Sequence, residues 1–160
     1  MVTNFKYKII VFTILITAFS SCKSTMGHSS KGAVLKADNY KHYVDYFNTM
    51  EDENLKFAIP NDSAWVWMKS NIPLFECPQQ NFEEIYYFRW WSARKHIIKT
   101  PQGYGITEFL VQRSYADKYN LISCAVGHHI NEFRWVHDPK YIEQDVKIWY
   151  RGNEGKPMNK

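Results

Sequence analysis

The sequence predicts a mainly α-helical domain built from helical hairpins, and three observations carry that reading. Apolar residues recur at helical spacing along most of the chain, Pro and Gly near residues 73 and 101–105 mark breaks between helices, and no internal repeat or Gly-rich phosphate loop interrupts the pattern. A length of 160 residues allows one domain of ordinary size. With 45% hydrophobic and 22% charged residues the chain is neither wholly disordered nor a coiled-coil rod. The net charge of +4 is evenly spread, which argues against nucleic acid as a partner. Three cysteines cannot build a disulfide framework. The aromatic content stands out, with 6 Trp, 11 Tyr and 10 Phe.

Residues 1–21 read as a secretory signal: Lys6 and Lys8 precede an uncharged run over residues 9–19, then Ser20 and Ser21. That run falls short of the roughly 20 apolar residues that span a bilayer. Cys22 follows directly, an arrangement that resembles a bacterial lipoprotein signal, although Phe19 replaces the usual branched aliphatic residue. The resemblance implies lipidation of Cys22, a membrane anchor in the bacterial cell envelope and a periplasm-facing protein. Residues 22–37, rich in Ser, Gly, Thr and His, read as a flexible tether. The folded domain is expected over 38–160. Cys77 and Cys124 could pair or stay as packing residues, and spacing does not decide between them.

In residues 39–50, Tyr40, Tyr43, Val44 and Phe47 fall on one helical face. Asn61 or Asp62 is placed to cap a second helix, which carries Trp65, Trp67 and Met68 and closes before Pro73. A third helix begins at Asn81, puts Glu83 and Glu84 in its first turn, and is projected to residue 98. Pro101, Gly103 and Gly105 end it and lead into an extended piece, 104–110. A fourth helix is expected over about 122–136. Asp138 and Pro139 start a fifth, with Ile142, Val146 and Trp149 as its buried stripe and Glu143 and Lys147 as an i,i+4 pair.

Two of these helices carry polar groups among apolar ones. In the third, Phe82, Ile85, Tyr86, Ala93 and Ile97 make an apolar face that includes Arg89 and His96, while Phe88 and Trp91 point away. A helix apolar on nearly all sides is buried on both, so Arg89 needs either a carboxylate partner or a wet cavity. In the fourth, Ile122, Ala125, Val126, Phe133 and Val136 form the stripe around His129, and His128 shares a side with Glu132. Adjacent His128 and His129 point apart on a helix and Cys124 adds a single soft donor, so neither a metal nor a cofactor is expected. No Gly-Xaa-Ser-Xaa-Gly elbow is present. Aromatic platforms, carboxylates and arginine together suit a sugar, whose C–H faces stack on rings while its hydroxyls bind charged groups. Most of the aromatic residues are accounted for as helical core.

The segments 85–96, 100–109, 122–135 and 138–141, with the runs Tyr87-Phe88-Arg89-Trp90-Trp91 and Gly127-His128-His129-Ile130, resemble bacterial six-hairpin glycosidases. The group in view has a mannosylglycerate-hydrolase-like domain akin to the trehalase and glucosidase clan. The resemblance covers residues 61–152 and implies part of an (α/α)6 toroid, whose inner helices line a carbohydrate pocket. It implies substrate binding by Arg89, Trp90, Trp91, Arg94, His128, His129 and Glu132. Phe133 stands where that pattern has a small residue.

Glycoside hydrolysis takes two carboxyl groups, about 6.5–9.5 Å apart in an inverting enzyme. Glu132, Glu108 and Asp138 are the candidates here, and in this clan the general base is expected in later hairpins. Twelve helices close such a toroid and this chain offers about five. The expectation is therefore the N-terminal part of a longer lipoprotein glycoside hydrolase, inactive by itself. The alternative is a free-standing lipoprotein that binds glycans or a partner without catalysis.

Overall fold

In the computed structural model, which describes residues 34–151, the apolar spacing becomes five α-helices and one β-hairpin, so the described part is mainly α. The signal, Cys22 and nearly all of the tether lie outside the described residues. Residues 35–151 belong to one unit, with Leu35 and Ala37 packed against its core. Helix α1 is Lys41–Asn48, α2 is Ala64–Asn71, α3 is Gln80–Ala93, α4 is Val126–Phe133 and α5 is Lys140–Arg151. Short 3-10 turns lead into α1, α2 and α4. Strands β1, Ile97–Thr100, and β2, Gly103–Ile106, pair antiparallel with Ile97 opposite Ile106 and Thr100 opposite Gly103. Among the described residues no helix is long and apolar enough to cross a membrane.

The main core is aromatic. Tyr40, Tyr43, Val44 and Phe47 are all buried, as their spacing predicts, and they meet α3 through Tyr87 and Trp91. Tyr87 lies 4.9 Å from the Tyr40 ring and 5.4 Å from the Tyr43 ring, both stacked. Its hydroxyl donates to Phe75 O at 2.9 Å and accepts from Phe75 N–H, and burial pushes it well above the ordinary tyrosine range. The α3 face packed on α1 thus centres on Tyr87 and Trp91, with Phe88 edge-on to Phe47.

Three helix expectations are corrected. α3 stops at Ala93, followed by a 3-10 turn over Arg94–His96, instead of running to residue 98. Ile97 and Ile98 are β-branched, and Pro101 steers Thr100 away from helical angles, so this segment becomes β1. The apolar face assigned to α3 is also displaced. Phe82 and Ile85 are each 53% exposed, because α1 docks on the opposite side. Finally, α2 starts from a 3-10 turn, Asn61–Ser63, without a side-chain cap. Asn61 Oδ1 instead accepts from Arg94.

The fifth helix begins as its sequence indicates: Asp138 Oδ1 accepts from Lys140 N–H at 3.1 Å. Its buried side is Tyr141, Asp145, Ile148 and Trp149, with Ile142 and Val146 only half-buried. α5 lies along the outer edge of β2 and supplies the edge with acceptors. Tyr104 N–H donates to Gln144 Oε1 and Ile106 N–H to Asp145 Oδ1, each at 2.8 Å. Two strand donors that would otherwise lack partners are satisfied by a helix. Gly103 makes the turn at φ +129, and a Cβ there would stand 2.7 Å from Gln144 Oε1.

Candidate functional site

Between α3, α4 and the end of β2 lies a cleft of about 710 Å³, within the size range of small-ligand sites. Residue 106 ends β2, and Thr107 and Glu108 follow it into the cleft wall. α3 contributes Tyr86, Arg89, Trp90 and Ala93, one helical stripe at i, i+3, i+4 and i+7. α4 contributes His128, His129, Glu132 and Phe133. His96 enters from the 3-10 turn, and Trp135 stands 57% exposed at the rim.

The charged groups sit at the mouth. Arg89 Nη2 donates to Glu132 Oε1 at 2.6 Å, bridging α3 to α4, with both side chains more than half exposed. Such an exposed pair contributes about 0–1 kcal/mol to stability and leaves polar capacity on both groups free to bind a ligand. The arginine predicted to need a cavity or a carboxylate has both, at an exposed position instead of a buried one.

Deeper in, Trp90 is 8% exposed, and its ring meets Phe133 edge to face at 6.4 Å. His96 Nδ1 lies 2.8 Å from Thr107 O. A carbonyl can only accept, so His96 Nδ1 carries a proton and donates to it. His129 is buried, with Nδ1 at 3.9 Å from Asp145 Oδ2. Burial, with His96 and His128 nearby, pulls His129 down to about 4, while burial pushes Asp145 up to about 6. Near neutral pH His129 is thus uncharged and Asp145 ionised.

Of the residues the sequence nominates, Arg89, Trp90, Glu108, His128, His129 and Glu132 come together in this cleft. Trp91, Arg94 and Asp138 do not line it. Trp91 turns into the core, where its Nε1 donates to Asn48 Oδ1 at 2.7 Å. Arg94 is fully buried: Nη1 donates to Ile59 O at 2.6 Å, Nη2 to Asn61 Oδ1, and its guanidinium stacks 5.3 Å from the Trp91 ring. Burial lowers it to about 10 and neighbouring Glu53 acts in the opposite direction. It clamps the 49–61 loop to α3. Asp138 caps α5 and is lowered chiefly by the Lys140 ammonium, 2.6 Å from its Oδ2, and then by the Lys140 N–H.

Sequence reading missed Asp145 and Thr107. Asp145 was detectable, since it lies four residues after Tyr141 and four before Trp149, an acid on an apolar stripe. Thr107 carried no such signal. Cys77 and Cys124 are free, the first half-buried and the second exposed. Among the described residues no three His, Cys, Asp or Glu side chains group as metal ligands.

No family model and no curated protein matches the chain. A solved structure named sialidase is similar to it, at 66% identity and a TM-score of 0.76, over 78% of this chain and 12% of the other. At that identity the matched segments share their fold, and the chain spans about an eighth of the length of that neighbour.

Proposed function

We propose that the cleft binds carbohydrate and that the chain is the N-terminal portion of a glycoside hydrolase. One observation carries the reading: an aromatic wall at Trp90, bordered by the Arg89–Glu132 pair, in a chain 66% identical to part of a protein named sialidase. A sialidase is a glycoside hydrolase, and the cleft combines an apolar wall with fixed polar groups in the proportions a sugar requires. Trp90 takes the C–H face of a sugar ring, Arg89 and Glu132 bind its hydroxyls or a carboxylate, and Glu108 and His128 complete the rim.

The helices are read as part of an (α/α)6 toroid and Cys22 as a lipidated anchor in the bacterial cell envelope, facing the periplasm. Catalysis is assigned to the longer enzyme, since the chain corresponds to only 12% of its neighbour. Glu132 and Glu108 are the candidate carboxylates within the cleft. A second reading, glycan binding without catalysis, is favoured by the engagement of Glu132 with Arg89.

The test uses the 160-residue chain and a panel of α- and β-linked oligosaccharides that includes 3′-sialyllactose. Wild-type chain should bind at least one member without turnover, and R89A and E132A should each lose that binding. Failure to bind any member would end the carbohydrate reading. Hydrolysis by wild type that is lost in E132Q would place catalysis in this chain and remove the assignment to a longer enzyme.

A further inference from the structure

Asp145 is fully buried, yet it neither lines the cleft nor pairs with a cation within hydrogen-bond reach. Its surroundings are nevertheless ordered by direction. Ile106 N–H donates to Oδ1 at 2.8 Å, which fixes the plane of the carboxylate between β2 and α5. The Trp149 indole, a donor only, lies close enough to favour the ionised form. The remaining oxygen, Oδ2, faces His129 Nδ1 across 3.9 Å, and both of these buried atoms lack a protein hydrogen-bond partner. An ionised carboxylate is an acceptor only, and of the two buried donors beside it that lack a partner, Trp149 Nε1 and His129 Nδ1, the imidazole is the one that faces Oδ2 at 3.9 Å, so its proton belongs on Nδ1. Nδ1 is buried and the ring lines the cleft, so the edge that meets a ligand is the one bearing Nε2.

We propose that His129 Nε2 is a fixed hydrogen-bond acceptor for a substrate hydroxyl, and that Asp145 is the positioning residue that holds the imidazole in that tautomer. The ligand half of this statement rests on the carbohydrate reading, whereas the tautomer half stands without it. The device selects for donors: a hydroxyl is accepted at this point in the cleft, and a carbonyl or ether oxygen is refused.

Asp145→Asn reverses the device without changing its shape. Ile106 N–H still needs an acceptor, so the substituted amide would turn its oxygen to β2 and its NH2 to His129. Nδ1 must then accept, and the proton moves to Nε2. Long-range 1H–15N spectra of the 15N-histidine-labelled 160-residue chain, with His129 assigned from the signal lost in H129Q, read the tautomer directly. The expected result is Nδ1–H in wild type and Nε2–H in D145N. Binding of 3′-sialyllactose should weaken about tenfold in D145N, the equivalent of one hydrogen bond. Nε2–H in wild type, an unchanged tautomer in D145N, or unchanged affinity would overturn the proposal. If D145N fails to fold, the wild-type tautomer still decides it. If the tautomers are as expected and no sugar binds, the carbohydrate reading and the acceptor role fail, and the Asp145 positioning stands.

Discussion

Helix α3 has two faces of nearly the same composition and opposite use. On the face packed against α1, and in the 3-10 turn that follows it, the strong donors are spent on the protein, the buried Arg94 Nε excepted. The Tyr87 hydroxyl bonds to Phe75, the Trp91 indole to Asn48, the Arg94 guanidinium to Ile59 and Asn61, and Lys95 to Glu51. On the other face Trp90 and Arg89 line a cleft and touch α4 at Phe133 and Glu132. Arg89 and Arg94, five residues apart, have the same chemistry and opposite burial. The difference teaches that residue type does not identify a binding group. What identifies it is hydrogen-bonding capacity left over after folding.

Several changes would break or sharpen this contrast. Trp91→Ala removes a core ring and should cost about 3–5 kcal/mol in denaturant unfolding, while leaving the cleft-lining residues in place. A smaller effect is expected at the hairpin. Gly103→Ala puts a methyl group at a positive φ and against Gln144, and should lose about 1–3 kcal/mol together with hydrogen-exchange protection at Tyr104 N–H.

The buried pair makes a pH prediction. Asp145 is raised from 3.8 to about 6 by folding, so its contribution is fully present below 3.8 and is lost as pH rises through 6. His129 is lowered from 6.5 to about 4, so its contribution is present above 6.5 and is lost as pH falls through 4. Between these limits the two oppose each other. Relative to wild type, D145N should gain stability as pH rises from 4 to 6, and H129Q should lose it, as read by thermal melts across that window. Parallel slopes in the two variants would contradict the opposite directions in which burial moves the two groups. The smallest effect is expected on the cleft face: Arg89→Ala should change stability by no more than about 1 kcal/mol, despite abolishing an ion pair.

The sequence made the α1 face legible because Tyr40, Tyr43, Val44 and Phe47 have the same period as the helix that carries them, and all four are buried. The start of α5 was legible for a similar reason, since Asp138 and Pro139 act locally. The orientation of α3 was not. A helix with apolar residues all around has no preferred side until its partner is placed, and α1 docked opposite to the stripe that included Phe82 and Ile85. The end of α3 was lost because helical spacing continued through Ile97, although β-branching and Pro101 decided for a strand. In the site, Arg89 and His129 were nominated by polar character within apolar stripes, and Glu132 by sharing a side with His128. Trp91 and Arg94 were nominated through the resemblance to six-hairpin glycosidases and went into the core, which only tertiary packing could decide.

The most direct test of the account is a map of ligand contact on α3. Titrating the 15N-labelled 160-residue chain with 3′-sialyllactose should move the Trp90 indole and His129 ring signals and leave the Trp91 indole, bonded to Asn48, unmoved. Movement of Trp91 with Trp90 silent, or no movement at saturating sugar, would contradict the claim that the cleft face is the carbohydrate site.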